Sequence, residues 1–161
     1  VVDPIVRRAD ATDADDVVQL ELLEREARAA LVGQRGGDRW LVEHAAVADR
    51  WPQRCGQVDV WVGVIGAVVV GYLVADLGDD LILRIDQVWV TPEAREVGFG
   101  DGLLAAAIES ARERGGIAVQ GESLPGDRQT KNLYERTGIV ARLITTFRWF
   151  NDPSTGGPAS R

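Results

Sequence analysis

The residues best placed to do chemistry are Arg95-Glu96-Val97-Gly98-Phe99-Gly100, with Asp101 next, where an apolar strand stops and an amphipathic helix starts. The first backbone N–H groups of a helix have no partner inside it and make a ready anion site. Glycines let that backbone approach a pyrophosphate with no Cβ in the way. The plain alternative is a glycine pair that merely joins a strand to a helix. The spacing excludes two familiar phosphate loops. No Gly-Lys-Ser/Thr follows, and Leu103 stands where a dinucleotide G-x-G-x-x-G has its last glycine. What remains is Arg-x-x-Gly-x-Gly, preceded by Val88-Trp89-Val90-Thr91-Pro92. Asp86 is the second candidate. It is the acid of the apolar run Leu81-Ile82-Leu83-Arg84-Ile85-Asp86. An acid there needs a reason, either chemistry or pairing with Arg84 or another arginine.

The elements that must hold these residues can be read from apolar spacing. Residues 5–8 suit a short strand. Thr12 offers a helix N-cap, and Asp13, Asp15 and Asp16 meet the positive end of the helix dipole. Val17, Leu20, Leu23, Ala27, Ala30 and Leu31 form one apolar helix face, stopped by Gly33 and Gly36-Gly37. Trp40, Leu41, His44, Ala45, Ala48 and Trp51 suit a second helix ended by Pro52. Residues 58–64, 67–75 and 81–90 read as a three-strand meander with turns at Ile65-Gly66 and Gly78-Asp79-Asp80. These strands are apolar almost throughout, which predicts a sheet covered on both faces. Strand alternation puts Asp86, Val88 and Val90 on one face.

Gly100 or Asp101 opens a helix with Leu103, Leu104, Ala107, Ile108 and Ala111 inward, ended by Gly115-Gly116. Residues 117–121 suit a strand, 127–137 a short helix closed by Gly138, and 139–150 a final extended stretch. The Pro-, Ser-, Thr- and Gly-containing residues 151–161 are an expected disordered tail. The order predicts one α/β domain over residues 1–150. Its central sheet is mixed and mostly antiparallel with flanking helices, and a parallel βαβ crossover links the strands ending at Val90 and Gly121.

Composition narrows the function. A chain of 161 residues suits one core. The net charge of −7 argues against a nucleic-acid partner, which needs a basic patch. Cys55 is the one cysteine, so no intramolecular disulfide forms, which fits a reducing cytoplasm. No obvious base lies beside it. His44 is the one histidine, and with Cys55 far off no metal site is expected. The longest apolar run, residues 67–75, is too short to cross a bilayer, so no membrane partner or signal peptide is expected. One lysine, Lys131, stands against seventeen arginines, a bias that hints at a GC-rich bacterial genome.

The loop, its V-x-V-x-P lead-in and the helix that follows resemble the GCN5-related N-acetyltransferase (GNAT) superfamily. The resemblance runs from Ile5 to about Trp149 and is strongest over residues 86–104. A second family element, N-x-x-A-x-x-F-Y-x-x-x-G-F, is matched at Leu133, Tyr134 and Gly138. It departs at Asp127, where asparagine is usual, and at Thr130, where alanine is usual. Residues 123–128 resemble an uncharacterised bacterial subgroup of small stand-alone members.

The resemblance implies the acyl-CoA N-acyltransferase fold and acetyl-CoA as co-substrate. Arg95, Glu96, Val97, Gly98, Phe99, Gly100 and Asp101 would take the pyrophosphate, the backbone of Val88, Trp89 and Val90 the pantetheine arm, and Asn132 a further coenzyme contact. The family places glycine where Glu96 sits. Two carboxylates, Glu96 and Asp101, oppose a pyrophosphate, so weaker coenzyme binding is expected. The implied reaction is direct attack of a primary amine, of a small molecule or a peptide, on the thioester. Tyr134 would be the acid for the leaving thiolate, unless it is simply a core tyrosine. The Val90 N–H would stabilise the oxyanion. Asp86 would be the base, with Glu122 the second choice and a water chain the third. Residues 29–51 and 142–150 would shape the acceptor pocket, with Trp40, Trp51, Trp61 and Trp149 available to line it. Homodimers are common in the family. The competing readings are a coenzyme-A-binding regulatory module with little activity, and transfer of a longer acyl group.

Overall fold

A computed structural model describes residues 4–151; the remainder of the expected tail, 152–161, lies outside the described residues. The sheet has five strands in sequence order: β1 (Ile5–Arg8), β2 (Asp59–Ile65), β3 (Val68–Leu77), β4 (Ile82–Val90) and β5 (Ala118–Gly121). The first four are antiparallel, and β5 joins β4 in parallel, as the crossover pattern requires. The β2–β3 turn rests on Gly66, whose φ of +61° suits a residue with no Cβ.

Helices cover both faces, which is why the strands are apolar on both sides. One face packs Leu73, Leu83, Ile85 and Val90 against α4 (Phe99–Glu113) and α5 (Arg128–Arg136). The other packs Val60, Val62, Tyr72 and Val74 against α1 (Ala14–Leu31) and Trp51. Phe99, at the start of α4, is fully buried over Gly63, where a Cβ would fall 2.6 Å from its ring.

Three expectations need correction. Asp13, not Thr12, caps α1: its carboxylate accepts from the Asp15 N–H, whereas the Thr12 hydroxyl and N–H both donate to Asp10. The second helix is broken in two. It forms α2 (Gly37–Glu43) and α3 (Trp51–Gln57), joined by a 3₁₀ turn at Ala48–Arg50. Pro52 sits in the first turn of α3, where its missing N–H costs nothing, so it starts a helix instead of ending one. Finally, residues 139–150 form no regular strand. Leu143, Ile144 and Phe150 are exposed, and the segment lies against α2 through a Trp149 Nε1 bond to Asp38 at 2.8 Å and Arg39 over Phe147. A β-rich sequence needs a sheet edge to pair with, and this stretch has taken a helix as its neighbour.

Two acids missed as structural residues hold the α1 side together. Asp16 is 2% exposed and takes Arg7 at 2.6 and 2.7 Å and the Asp10 N–H at 2.9 Å. The Arg7 hydrogen bond is the main reason its carboxyl lies below the ordinary range. Glu24 is 1% exposed and accepts from the N–H groups of Val47 and Ala48 at 2.6 and 2.9 Å. It thereby fixes the link between α2 and α3, where Ala48 has a φ of +52°.

Candidate functional site

Strands β4 and β5 pair only from Ile82↔Ala118 to Ile85↔Gly121. Beyond Ile85 the two strands part, and a cleft of about 570 Å³ opens between them. On the other side β4 stays paired with β3, and there the ladder fixes which way its backbone points. Thr91 N–H donates to Val70 O, and Val90 lies opposite Gly71, so Val90 and Gly71 are a non-hydrogen-bonded pair. The same parity holds for Val88 opposite Leu73. The N–H and C=O groups of Val88 and Val90 therefore point away from β3, toward the parted edge. Those of Trp89 are spent on the ladder. The three strand residues implied by the family resemblance thus separate into two that offer backbone groups to the cleft and one that does not.

The loop after β4 is not a bare turn. Pro92–Val97 is a 3₁₀ stretch, and Gly98, at φ +91°, is the N-cap of α4. A Cβ at Gly98 would meet nothing within 4 Å, so the glycine is required by its backbone angle and leaves open space before the helix N-terminus. Arg95 is committed: its Nε donates to Val90 O at 2.9 Å and its guanidinium stacks 4.6 Å over the Trp89 ring. It braces the end of β4 against the loop. Asp101 is bound by Arg136 of α5 at 3.0 and 3.1 Å, so a cation already stands beside one of the two carboxylates expected to repel a pyrophosphate. Glu96 is exposed at the cleft rim. Asp127 spends its carboxylate capping α5 on the Thr130 N–H and hydroxyl, the same job an asparagine could do there.

Tyr134 and Asn132 both line this cleft, Tyr134 buried and Asn132 exposed. Tyr134 lies over the end of β5: a Cβ at Gly121 would fall 2.7 Å from its hydroxyl. Burial, with Asp127 and Glu122 adding to it, pushes its phenol well above the ordinary tyrosine range. The group therefore keeps its proton at ordinary pH.

Asp86 does not share a face with Val88 and Val90. Val74 pairs with Gln87 and Ala75 with Ile85, so Asp86 is the extra residue of a β-bulge in β4. The bulge breaks the alternation. Val88 and Val90 pack toward α4, whereas Asp86 meets Arg54 of α3 at 3.3 Å and His44 at 3.7 Å, and Gln87 accepts from the Tyr72 hydroxyl at 2.7 Å. Asp86 is thus paired with an arginine, one of the two alternatives its sequence position left open, and it also lines the cleft. Trp40 and Arg28 line the same end of the cleft, and Glu122 stands on its far wall. Trp51 is a core residue, edge-on to Tyr72, and Trp61 lies under Arg8. His44, Arg54, Tyr72 and Gln87 carried no sequence signal of a site, apart from the requirement that Asp86 have a partner.

Among the described residues no three metal-ligating side chains gather, and no helix is long and apolar enough to cross a membrane. Burial, with Asp16 adding, pushes the Cys55 thiol up and away from reactivity.

The model of the acetyltransferase (GNAT) family matches residues 10–139. No curated protein matches the chain. Solved structures share the fold at low identity. An aminoglycoside acetyltransferase from an uncultured soil metagenomic sample, in complex with sisomicin, is 16% identical with a TM-score of 0.70, covering 92% of this chain and 96% of its own. The aminoglycoside acetyltransferase AAC(6')-Iy, in complex with the bisubstrate analogue CoA-S-monomethyl-acetylneamine, is 12% identical with a TM-score of 0.63 over 91% and 98% of the two chains. A ribosomal-protein-alanine N-acetyltransferase from Brucella melitensis is 22% identical with a TM-score of 0.66 over 83% of each.

Proposed function

This chain belongs to the acetyltransferase (GNAT) family, and we propose that its parted β4–β5 edge binds acetyl-CoA for transfer of the acetyl group to a primary amine, with Tyr134 and Asp86 as the acid and the base. The observation that carries the reading is the set of backbone groups that β3 leaves unused, the N–H and C=O of Val88 and the N–H of Val90, continuous with the glycine N-cap of α4. An extended amide-bearing arm pairs with the first, and an anion with the second. The coenzyme supplies an activated acyl group on sulfur.

The chain supplies the rest. In this reading Gly98, Phe99, Gly100 and Asp101 offer backbone N–H groups to the pyrophosphate, with Arg95, Glu96 and Val97 shaping the loop and Asn132 contacting the coenzyme from α5. The Val90 N–H donates to the carbonyl oxygen as negative charge develops on it. Tyr134 holds its proton by burial and passes it to the departing sulfur. Asp86 receives the proton of the acceptor's ammonium group. Trp40 and Arg28 receive the body of the acceptor, a small molecule or a peptide N-terminus. One domain over residues 1–150 is part of the same reading, and a single cysteine, which can form no intramolecular disulfide, fits a reducing, cytoplasmic setting.

Calorimetric titration of acetyl-CoA tests the foundation, with Gly98→Glu as the control. Wild type is expected to bind in the micromolar range, and the variant at least roughly hundredfold more weakly, since it adds a charge and a strained backbone angle at the anion site. The acceptor is then sought by thiol release with sisomicin and with an alanine-initiated peptide, the chemistries named for the structural neighbours. Folded wild type that ignores millimolar acetyl-CoA sinks the reading.

A further inference from the structure

A second cleft, of about 520 Å³, lies on the other side of Asp86. Glu43, His44, Arg50, Gln53, Arg54 and Gln57 line it, beside Ala45 and Val47. Asp86 and Gln87 line both clefts, so they form the wall between them. The protein's one histidine stands in that wall.

His44 is held in place from three sides. Its ring stacks on Trp40 at 4.2 Å, with planes 9° apart. Its Nδ1 lies 3.0 Å from the Trp40 carbonyl, which can only accept, so Nδ1 carries a hydrogen. Its own carbonyl takes Arg28 at 2.7 Å. In the neutral ring the lone pair is therefore on Nε2, and Nε2 faces Asp86 Oδ1 at 3.7 Å. A small rotation of the Asp86 carboxylate closes that gap to hydrogen-bond distance. The charged groups around the ring are Asp86 from β4, Arg54 from α3 beyond it, Arg28 from α1, and Glu43 and Arg50 in the second cleft.

We propose that His44 is the positioning partner of Asp86 and relays the acceptor's proton from the transfer cleft to the second cleft. The inference rests on Asp86 as the base. The ammonium N–H bond breaks and its proton bonds to an Asp86 oxygen. Protonation of Asp86 weakens its ion pair with Arg54, so the proton moves on to His44 Nε2 and the carboxylate is restored. The imidazolium, with its side chain 26% exposed, then gives the Nε2 proton to water in the second cleft. Nδ1 keeps its hydrogen on the Trp40 carbonyl throughout. No oxidant or other reactant is needed.

Two measurements test this. Nitrogen-15 spectra of the single imidazole are expected to show the neutral ring protonated on Nδ1; a proton on Nε2 would overturn the proposal, whatever the activity. The second is thiol release by His44→Phe, which keeps a flat ring on Trp40 without a nitrogen, and by His44→Ala. Both are expected to bind acetyl-CoA like wild type and to lose roughly tenfold or more in kcat, with little change in acceptor KM. Added imidazole is expected to restore His44→Ala in a saturable way, and to leave wild type and His44→Phe unchanged. A His44→Phe variant as fast as wild type, or a slow His44→Ala variant blind to imidazole, would refute the relay. Wild type silent with every amine defeats the transferase reading instead, and the tautomer still decides His44.

Discussion

The side of the cleft proposed for the coenzyme and the side proposed for the acceptor are built differently. The coenzyme side comes from one continuous stretch, β4 into α4, backed by α5. In that proposal it offers mainly backbone: the N–H and C=O of Val88, the N–H of Val90, the glycine at +91° and a helix N-terminus. The acceptor side is made of side chains from α1, α2, α3 and the β4 bulge, brought together across the chain: Arg28, Trp40, His44, Arg54 and Asp86. A backbone site tolerates side-chain change as long as its turn geometry survives. A side-chain site depends on each residue and on whatever fixes the supporting loops. One chain can therefore keep its donor chemistry while its acceptor is altered.

The strongest way to break the comparison is at Tyr134, the one side chain on the coenzyme side given a chemical role. Tyr134→Phe is expected to lower kcat about a hundredfold with acetyl-CoA affinity unchanged. Because its phenol is raised by burial, the wild-type acid should stay protonated through ordinary alkaline assay pH, so no basic-side loss of kcat should trace to this group. A pH–rate profile of wild type beside the variant checks both points.

Glu24 sharpens the comparison from the acceptor side. Glu24→Gln leaves one amide oxygen and a pair of donors where two backbone N–H groups need acceptors. A cost of about 2 kcal/mol is expected, seen as a Tm lower by a few degrees. Acceptor KM should rise while calorimetric acetyl-CoA binding holds; weakening of both would show that the two sides are not separately supported.

Arg136 carries the smallest effect. Arg136→Ala uncovers the Asp101 carboxylate beside the anion site. Acetyl-CoA affinity should fall roughly threefold at low salt and recover as salt screens the exposed charge. Unchanged affinity at all salt concentrations would mean that Asp101 never faced the pyrophosphate.

The same contrast governs how far the sequence could be read. The glycine loop, the apolar face of α4 and the Asp127-to-Gly138 helix are local patterns, and each forms where its spacing places it. The broken helix at residues 44–47 was not legible, because its breaking depends on Glu24, more than twenty residues earlier. Nor was the bulge, since a slip of one residue between β3 and β4 leaves no mark in either strand alone. The last segment has strand-forming residues, yet it lies against α2 and pairs with neither edge strand, a choice that no local spacing records.

By itself, then, the amino-acid order determined much of what depends on neighbours a few residues apart: the faces of α1 and α4, the tight turns and the glycine loop. Those are settled by backbone angles and by a period of two or 3.6 residues. Only the tertiary structure decided that β5 leaves β4 after Ile85, that Arg136 covers Asp101, and that Asp86 turns toward Arg54 and His44. Pairings across many residues are fixed by how whole elements pack, and no local spacing encodes which of seventeen arginines an aspartate will meet.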